Sequence, residues 1–334
     1  MAIESTPDEI GMCLSARYNR AMRPVVLVVA TALSAAALSA AVQAPETDAS
    51  FVLARARQAL GGDAALHAVA SVDVKGTLAR TMGSASFEES VEYALVLPER
   101  FVRVTESTSN LGPLGSAYHR RRTGFAGGDP IDEDESDSPL PPPTVAKKAA
   151  MTAQEIADQR DNALAAQRHT FANFVLPLLA ASPASHPLTF TLVGQVAGPT
   201  GPADAIDATG PDGFVRHLFV DTQSHLIVGI SWMAKPLVVV SATSSAIVSS
   251  PSSSSGGARA VSVPPPPVLP ANPAGNLAEV QWQLTVGDYR AASGLNWPHR
   301  LTTTFGGRKY EDVKLGTYRV NSKVDPGLFR AAKS

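Results

Sequence analysis

The strongest constraint on the fold is a succession of short β-like segments joined by short turns and interrupted once by a long helical segment. The pair 86–97 and 100–108, for example, has the pattern of two strands with a short turn at Pro98. The clearest of these segments are 71–80, 86–97, 100–108, 121–129, 188–197, 203–210, 213–221 and 225–234. Their short connections predict antiparallel neighbours.

The interruption at 152–182 has the pattern of one long helix. Thr152 and Glu155 form a capping box at its start. Apolar residues then recur at helical spacing in the second half, while the first turns are charged. A shorter helix near residue 50 is capped by Asp48 or Ser50 and ended by Gly61.

These elements predict a mostly β, α+β fold. The strands before and after the long helix would join in one curved antiparallel sheet, an incomplete β-barrel. The long central helix and the N-terminal helix would cover it. We expect one domain over 50–334, with mobile insertions at 129–146, which is acidic and then proline-rich, and at 241–275, which is rich in serine and proline.

The first 44 residues predict export. A basic stretch precedes the apolar run 24–44, which ends in small residues, as secretory signal peptides do. We expect translation to begin at Met22 and cleavage near 41–44. The predicted location is the periplasm or cell envelope. An uncleaved N-terminal membrane anchor is the alternative, since residues 25–42 approach the length of a membrane span.

The composition and the spacing of residues argue against several classes of protein. Lysine and arginine number 28 against 30 acidic residues, a balance that argues against a dedicated nucleic-acid binder. Cys13 is the one cysteine, which excludes a disulfide framework within the chain. No phosphate-loop or zinc-ligand spacing occurs, and the sequence predicts no cofactor.

Several strings resemble exported bacterial proteins with the outer-membrane lipoprotein-localisation fold, the LolA/LolB-like half-barrels and their uncharacterised relatives. They are "ARQALGG", "ATGPDGFVRHLFVD" (208–221), "SHLIVGISW" (224–232), "DYRAASGLNWPHRL" and "YRVNSKVDPGLF". The resemblance spans 50–334 apart from the two insertions. It implies a helix-covered half-barrel that holds acyl chains or another apolar ligand.

A half-closed sheet also suits such a ligand on physical grounds, because its apolar face must be covered. Where a helix covers that face loosely, the gap fits an acyl chain. Residues that would line the gap are large and apolar, although each can equally fill the core. They are Phe171, Phe174, Leu178, Trp232, Met233, Trp282 and Leu284.

The sequence supports a catalytic or metal site less than it supports an apolar ligand site. His217 and His225 flank a predicted hairpin that also contains Asp221, but zinc needs three or four ligands in tight geometry, and no cysteine or HExxH-type pair supports them. The acidic residues of 129–146 lack calcium-hand spacing. The basic run "HRRR", 119–122, is interpreted as a solvated loop that pairs with the acidic segment, or alternatively as a contact for anionic headgroups.

The stretch 285–305 resembles an active site, with Asp288, Arg290 and His299 close together. We interpret it instead as a hairpin whose turn contains Gly294. Pro298 would mark an edge or bulge, and His299 would be exposed.

The sequence therefore predicts a non-catalytic exported protein. It would bind a lipid, lipidated protein or other apolar ligand between sheet and helix, with a possible contact to the membrane surface. A ligand-free envelope scaffold and, more weakly, a hydrolase with a site across strands are the alternatives.

Overall fold

The computed structural model describes residues 48–82, 85–137, 151–236 and 278–330. The predicted signal segment 1–44, the 241–275 insertion and the second part of the 129–146 insertion lie outside these ranges. The helices are α1 (Ala49–Leu60), α2 (Asp63–His67) and α3 (Ala153–Leu179). None of the helices in these ranges is long and apolar enough to cross a membrane.

In the described ranges, twelve strands form one antiparallel sheet. They are β1 (Ser71–Met82), β2 (Ala85–Val96), β3 (Arg100–Asn110), β4 (Ser116–Ala126), β5 (Asp129–Asp137), β6 (Thr189–Ala197), β7 (Pro202–Thr209), β8 (Val215–Asp221), β9 (Ile227–Ala234), β10 (Val280–Ala292), β11 (Leu295–Phe305) and β12 (Arg308–Val320).

The strand order is β5-β4-β3-β2-β1-β12-β11-β10-β9-β8-β7-β6. The last strand thus pairs with the first and joins the halves that lie on either side of α3 in sequence. The sheet is curved and does not close, because β5 and β6 are its two edges. The predicted mostly β fold, with one curved antiparallel sheet and a long central helix, is confirmed.

The caps expected from the sequence position both longer helices. Asp48 accepts a hydrogen bond from the Phe51 amide at 2.9 Å and so begins α1. Thr152 and Glu155 form the reciprocal capping box of α3. Pro177 lies inside the last turns of α3, and the helix continues past it to Leu179.

The core lies between the sheet and the helices. The second half of α3 is buried from Phe171 to Leu178, whereas its first turns are exposed. This division follows the sequence, in which charged residues precede the apolar ones. α3 contacts β4 and β5 from one half of the sheet and β9 and β11 from the other.

The prediction of a mobile insertion is wrong for residues 129–137. They form the edge strand β5, paired along its length with β4. The acidic side chains lie opposite the basic run of β4, so that Arg121 binds Asp132 at 3.1 Å and Arg122 binds Glu133. Composition alone indicated disorder, but cross-strand ion pairs stabilise this strand. The basic run 119–122 is likewise a strand and not a loop.

The hairpin predicted within 285–305 is confirmed. β10 and β11 are joined at Gly294, which has a φ of 78°. The ladder is interrupted beside Pro298, where Asp288 has a φ of 55°. Arg290 donates two hydrogen bonds to Asp288, at 2.9 and 2.6 Å, on the surface. His299 is buried rather than exposed, and its Nδ1 lies 2.9 Å from the Leu315 carbonyl oxygen.

Candidate ligand-binding site

A cavity of about 490 Å³ lies between α3 and the sheet. Thr170, Asn173 and Phe174 border it from α3. The remaining lining residues come from β1–β4 and β9–β12, which the strand order brings together across the middle of the sheet. Strands from before and after α3 in the sequence, four from each side, therefore contribute to one site.

Two tryptophans of the lining, Trp232 and Trp282, belong to a row of stacked planar groups across neighbouring strands. Trp232 of β9 lies opposite Trp282 of β10, with ring centroids 6.1 Å apart and an interplanar angle of 12°. Trp282 also stacks on Phe305 of β11 at 4.9 Å. At the other end, the Arg216 guanidinium lies 4.9 Å from the Trp232 ring centroid. These stacked groups stabilise a rigid, largely apolar surface.

Arg216 is a buried cation with neutral partners. It donates hydrogen bonds to Asn173 Oδ1 at 2.9 Å and to the Val215 carbonyl oxygen at 2.8 Å. The Phe214 ring also contacts the guanidinium, with its centroid 4.4 Å away. Burial lowers the pKa of Arg216 to about 10, so it stays charged at neutral pH.

The part of the lining that comes from β1, β3 and β12 carries a charged network. Glu311 Oε1 accepts hydrogen bonds from Arg80 Nε and Nη2, at 3.2 and 3.1 Å, and from Arg103 Nη2 at 3.0 Å. Arg80 also donates to Glu89 at 2.9 Å. Sequence reasoning missed this network, since its residues come from β1, β2, β3 and β12 and only the strand register brings them together.

The network keeps the Glu311 carboxylate ionised. Burial favours the neutral form of Glu311, but Arg103 and Arg80 outweigh it and hold the pKa of Glu311 below its usual value. Burial also opposes the charge on Arg103, yet Glu311 raises the pKa of that guanidinium overall. Tyr93, beside Arg103, has its pKa raised by burial. The tyrosine thus stays neutral while the carboxylate and guanidinium stay charged.

The seven residues predicted to line a site occupy three different environments. Phe174, Trp232, Trp282 and Leu284 border the cavity. Phe171 and Leu178 are fully buried in the core and do not reach it. Met233 is 58% exposed and lies outside the lining, because successive strand residues point to opposite faces and Trp232 occupies the inner one.

The histidines considered from the sequence lie apart from one another. His217 Nδ1 lies 2.5 Å from Asp207, and His225 Nε2 lies 2.5 Å from Arg55. Asp221 accepts hydrogen bonds from Gln223 and Ser224 in the turn. Across the ranges that the structure describes, no group of three or more metal-ligating side chains forms.

Comparison with known proteins gives similarity at the level of structure. No protein-family model matches the chain. No curated protein matches it either. Solved structures similar to it include a LolA superfamily protein from Nitrosomonas europaea (9% identity, TM-score 0.42) and a DUF1329 family protein from Desulfovibrio piger (8%, 0.42). A candidate outer membrane lipoprotein-sorting protein domain from Vibrio parahaemolyticus is also similar (9%, 0.39).

Each of the three similarities covers 84% of this chain and 97% of the other. The LolA family, which the sequence strings resemble, is thus also named among these similar solved structures. The similarity concerns the fold.

Proposed function

We propose that this protein binds an apolar ligand, a lipid or the lipid-modified part of a protein, in the cavity between α3 and the sheet. The observation that carries the proposal is the cavity itself. Its volume of about 490 Å³ lies within the roughly 300–1,000 Å³ typical of small-molecule sites. An acyl chain would gain about 0.8 kcal/mol for each methylene group that it buries there.

The chemistry of the lining favours binding without catalysis. Among the described residues that border the cavity, the hydroxyl groups belong to threonine and tyrosine, and none of these residues is histidine, cysteine or serine. A nucleophilic mechanism needs an activated nucleophile next to a base. Glu311 is the one carboxylate in the lining, and it is engaged by two arginines.

Entry of a ligand would involve α3. Only the second half of this helix packs in the core, and its Thr170, Asn173 and Phe174 form one side of the cavity. A small displacement of α3 from the sheet would open the space without breaking the strand ladders. Binding would then be a reversible burial in which no covalent bond forms.

Export is the second part of the proposal. The N-terminal sequence has the order of a secretory signal, with basic residues, an apolar run and small residues before Pro45. The site of action would therefore be the periplasm or cell envelope, where apolar molecules need a protein to cross water.

The test is extraction of the purified protein followed by mass spectrometry. We expect lipid to co-purify in stoichiometric amounts. Thr303→Trp would fill the cavity from β11 and remove that lipid, whereas Met233→Trp on the outer face would leave it unchanged. A clean extract, combined with no uptake of a fluorescent fatty acid by the wild type, would contradict the proposal and favour a ligand-free scaffold.

A further inference from the structure

We propose that the ligand is an anionic amphiphile, with its acyl chain against the tryptophan wall and its head group against Arg80, Arg103 and Arg121. This inference rests on the proposed binding function and specifies the chemical class of the ligand. It is carried by the way in which the charged residues of the cavity are arranged.

The cationic groups face the cavity more than the acidic ones do. The side chains of Arg80 and Arg103 are 22% and 18% exposed, and that of Arg121 is 50% exposed. Those of Glu89 and Glu311 are only 11% and 10% exposed. All three arginines border the cavity, whereas Glu311 is the one acid that does. The lining therefore carries three guanidinium groups and one carboxylate, while Glu89 and Asp132, which pair with Arg80 and Arg121, lie outside it.

The strand register arranges this surface as a compact patch. Arg103 of β3 pairs with Thr123 of β4, and Thr105 of β3 pairs with Arg121 of β4. All four residues border the cavity. Guanidinium and hydroxyl groups alternate at the spacing of neighbouring strands, and both donate hydrogen bonds to oxyanions.

Glu311 acts as a positioning residue for this patch. Its Oε1 accepts hydrogen bonds from Arg80 and Arg103 at once, which fixes the direction of both guanidinium groups before a ligand arrives. A preorganised site loses less conformational entropy on binding. Arg103 Nε has no hydrogen-bond partner and is buried, so donor capacity of this side chain remains unused.

The apolar part of the lining suits the chain of the same ligand. Trp232, Trp282 and Leu284 come from β9 and β10, and Leu301 and Val313 continue this apolar surface onto β11 and β12. Charged and apolar walls within one cavity match a molecule that has a head and a tail. A carboxylate and a phosphate monoester share the required head-group chemistry.

The experiment measures displacement of Nile red, a neutral probe, by matched ligands at pH 8. Palmitate and palmitoyl lysophosphatidate supply the two anionic head groups, and methyl palmitate supplies the same chain without charge. We expect both anions to bind about tenfold more tightly than the ester, the gain from one or two hydrogen bonds between charged groups. The tighter of the two anions identifies the head group.

Arg103→Gln should bring the affinity for the anions down to that for the ester and leave the ester unchanged. Arg121→Gln, at a half-exposed position outside the Glu311 network, should lower the affinity for the anions about threefold. It also removes the ion pair with Asp132, but both side chains of that pair are at least half exposed, so the fold should lose little stability. If Arg103→Gln does not fold, Arg121→Gln carries the test. Arg160→Gln is the matched control, because Arg160 pairs with Asp129 on the exposed part of α3.

The outcomes separate this inference from the proposed function. If wild-type protein binds ester and anions equally, or prefers the ester, the anionic class is wrong while apolar binding stands. If none of the ligands displaces the probe and the probe itself does not bind, the proposed function fails. Loss of anion preference in Arg160→Gln as well would also overturn the assignment to the patch.

Discussion

Trp232 and Trp282 lie face to face on neighbouring strands, and the Arg216 guanidinium covers the far side of Trp232. Arg216 is buried at one end of this row, and the two tryptophans border the cavity. Its order follows from the register, because Trp282 pairs with Trp232 across β10 and β9. The row gives the cavity a wall that does not depend on a ligand for its shape.

Arg216 should tolerate an apolar substitution better than a conservative one. It is buried against two rings with no carboxylate partner among its hydrogen bonds. Lysine cannot stack as a planar group and would leave a compact charge buried, so Arg216→Lys should lower the free energy of unfolding by ~2 kcal/mol. Arg216→Met should cost less than ~1 kcal/mol. Urea denaturation measures both, and a larger loss for methionine would contradict this account.

His186 lies fully buried beside His169, with ring centroids 5.5 Å apart. Both ring nitrogens of His186 lack a hydrogen-bond partner. Burial, followed by repulsion from His169, lowers the pKa of His186 to about 4; Arg168 and Arg216 act in the same direction and Asp212 opposes them. The folded protein thus holds this imidazole neutral.

Stability should therefore fall as the pH falls from 6.5 towards 4. The unfolded chain takes up a proton on His186 in this window and the folded chain does not, which favours unfolding on acidification. Between pH 7 and pH 4.5, the free energy of unfolding of His186→Phe should therefore decrease by ~2 kcal/mol less than that of the wild type. The exposed His67→Phe is the control. Denaturation midpoints that change equally with pH in both variants would show that His186 is not the titrating group.

Two strand glycines should differ in how much stability is lost when each is replaced by alanine. A Cβ atom at Gly76 would lie 2.1 Å from the Lys314 carbonyl oxygen, at the irregularity where β1 meets β12. A Cβ atom at Gly287 would meet nothing within 4 Å. Gly76→Ala should therefore cost at least ~2 kcal/mol and Gly287→Ala less than ~0.5 kcal/mol. Equal melting temperatures for the two variants would contradict this prediction, because they would mean that β1 and β12 accommodate the added methyl group without loss of stability.

The fold was largely predictable because strand and helix patterns are local. In "QWQLTV" (281–286) apolar and polar residues alternate, a local pattern that puts Trp282 and Leu284 on one face of a strand, and both border the cavity. Caps at Asp48 and Thr152 began the helices where expected. The prediction failed for β5, whose acidic sequence suggests disorder until the arginines of β4 are placed opposite it.

The charged wall of the cavity was not predictable, because register decides it. Arg80 and Glu311 are 231 residues apart and meet only because β1 pairs with β12. His299 was predicted to be exposed from its neighbours in sequence, yet it packs against Tyr318, a residue of the adjoining strand. The positions of these side chains thus depend on pairing between strands that are distant in sequence, which a local pattern does not predict.

The most direct test of the central claim uses the three tryptophans of the chain. Trp232 and Trp282 border the cavity, whereas Trp297 is fully buried and donates a hydrogen bond to the Ala292 carbonyl oxygen. A brominated acyl chain quenches the tryptophans that it contacts. The fluorescence of Trp297→Phe should fall saturably on titration with dibromostearate, and that of the Trp232→Phe/Trp282→Phe double variant should not. Equal quenching in both proteins, or none in either, would contradict binding in this cavity.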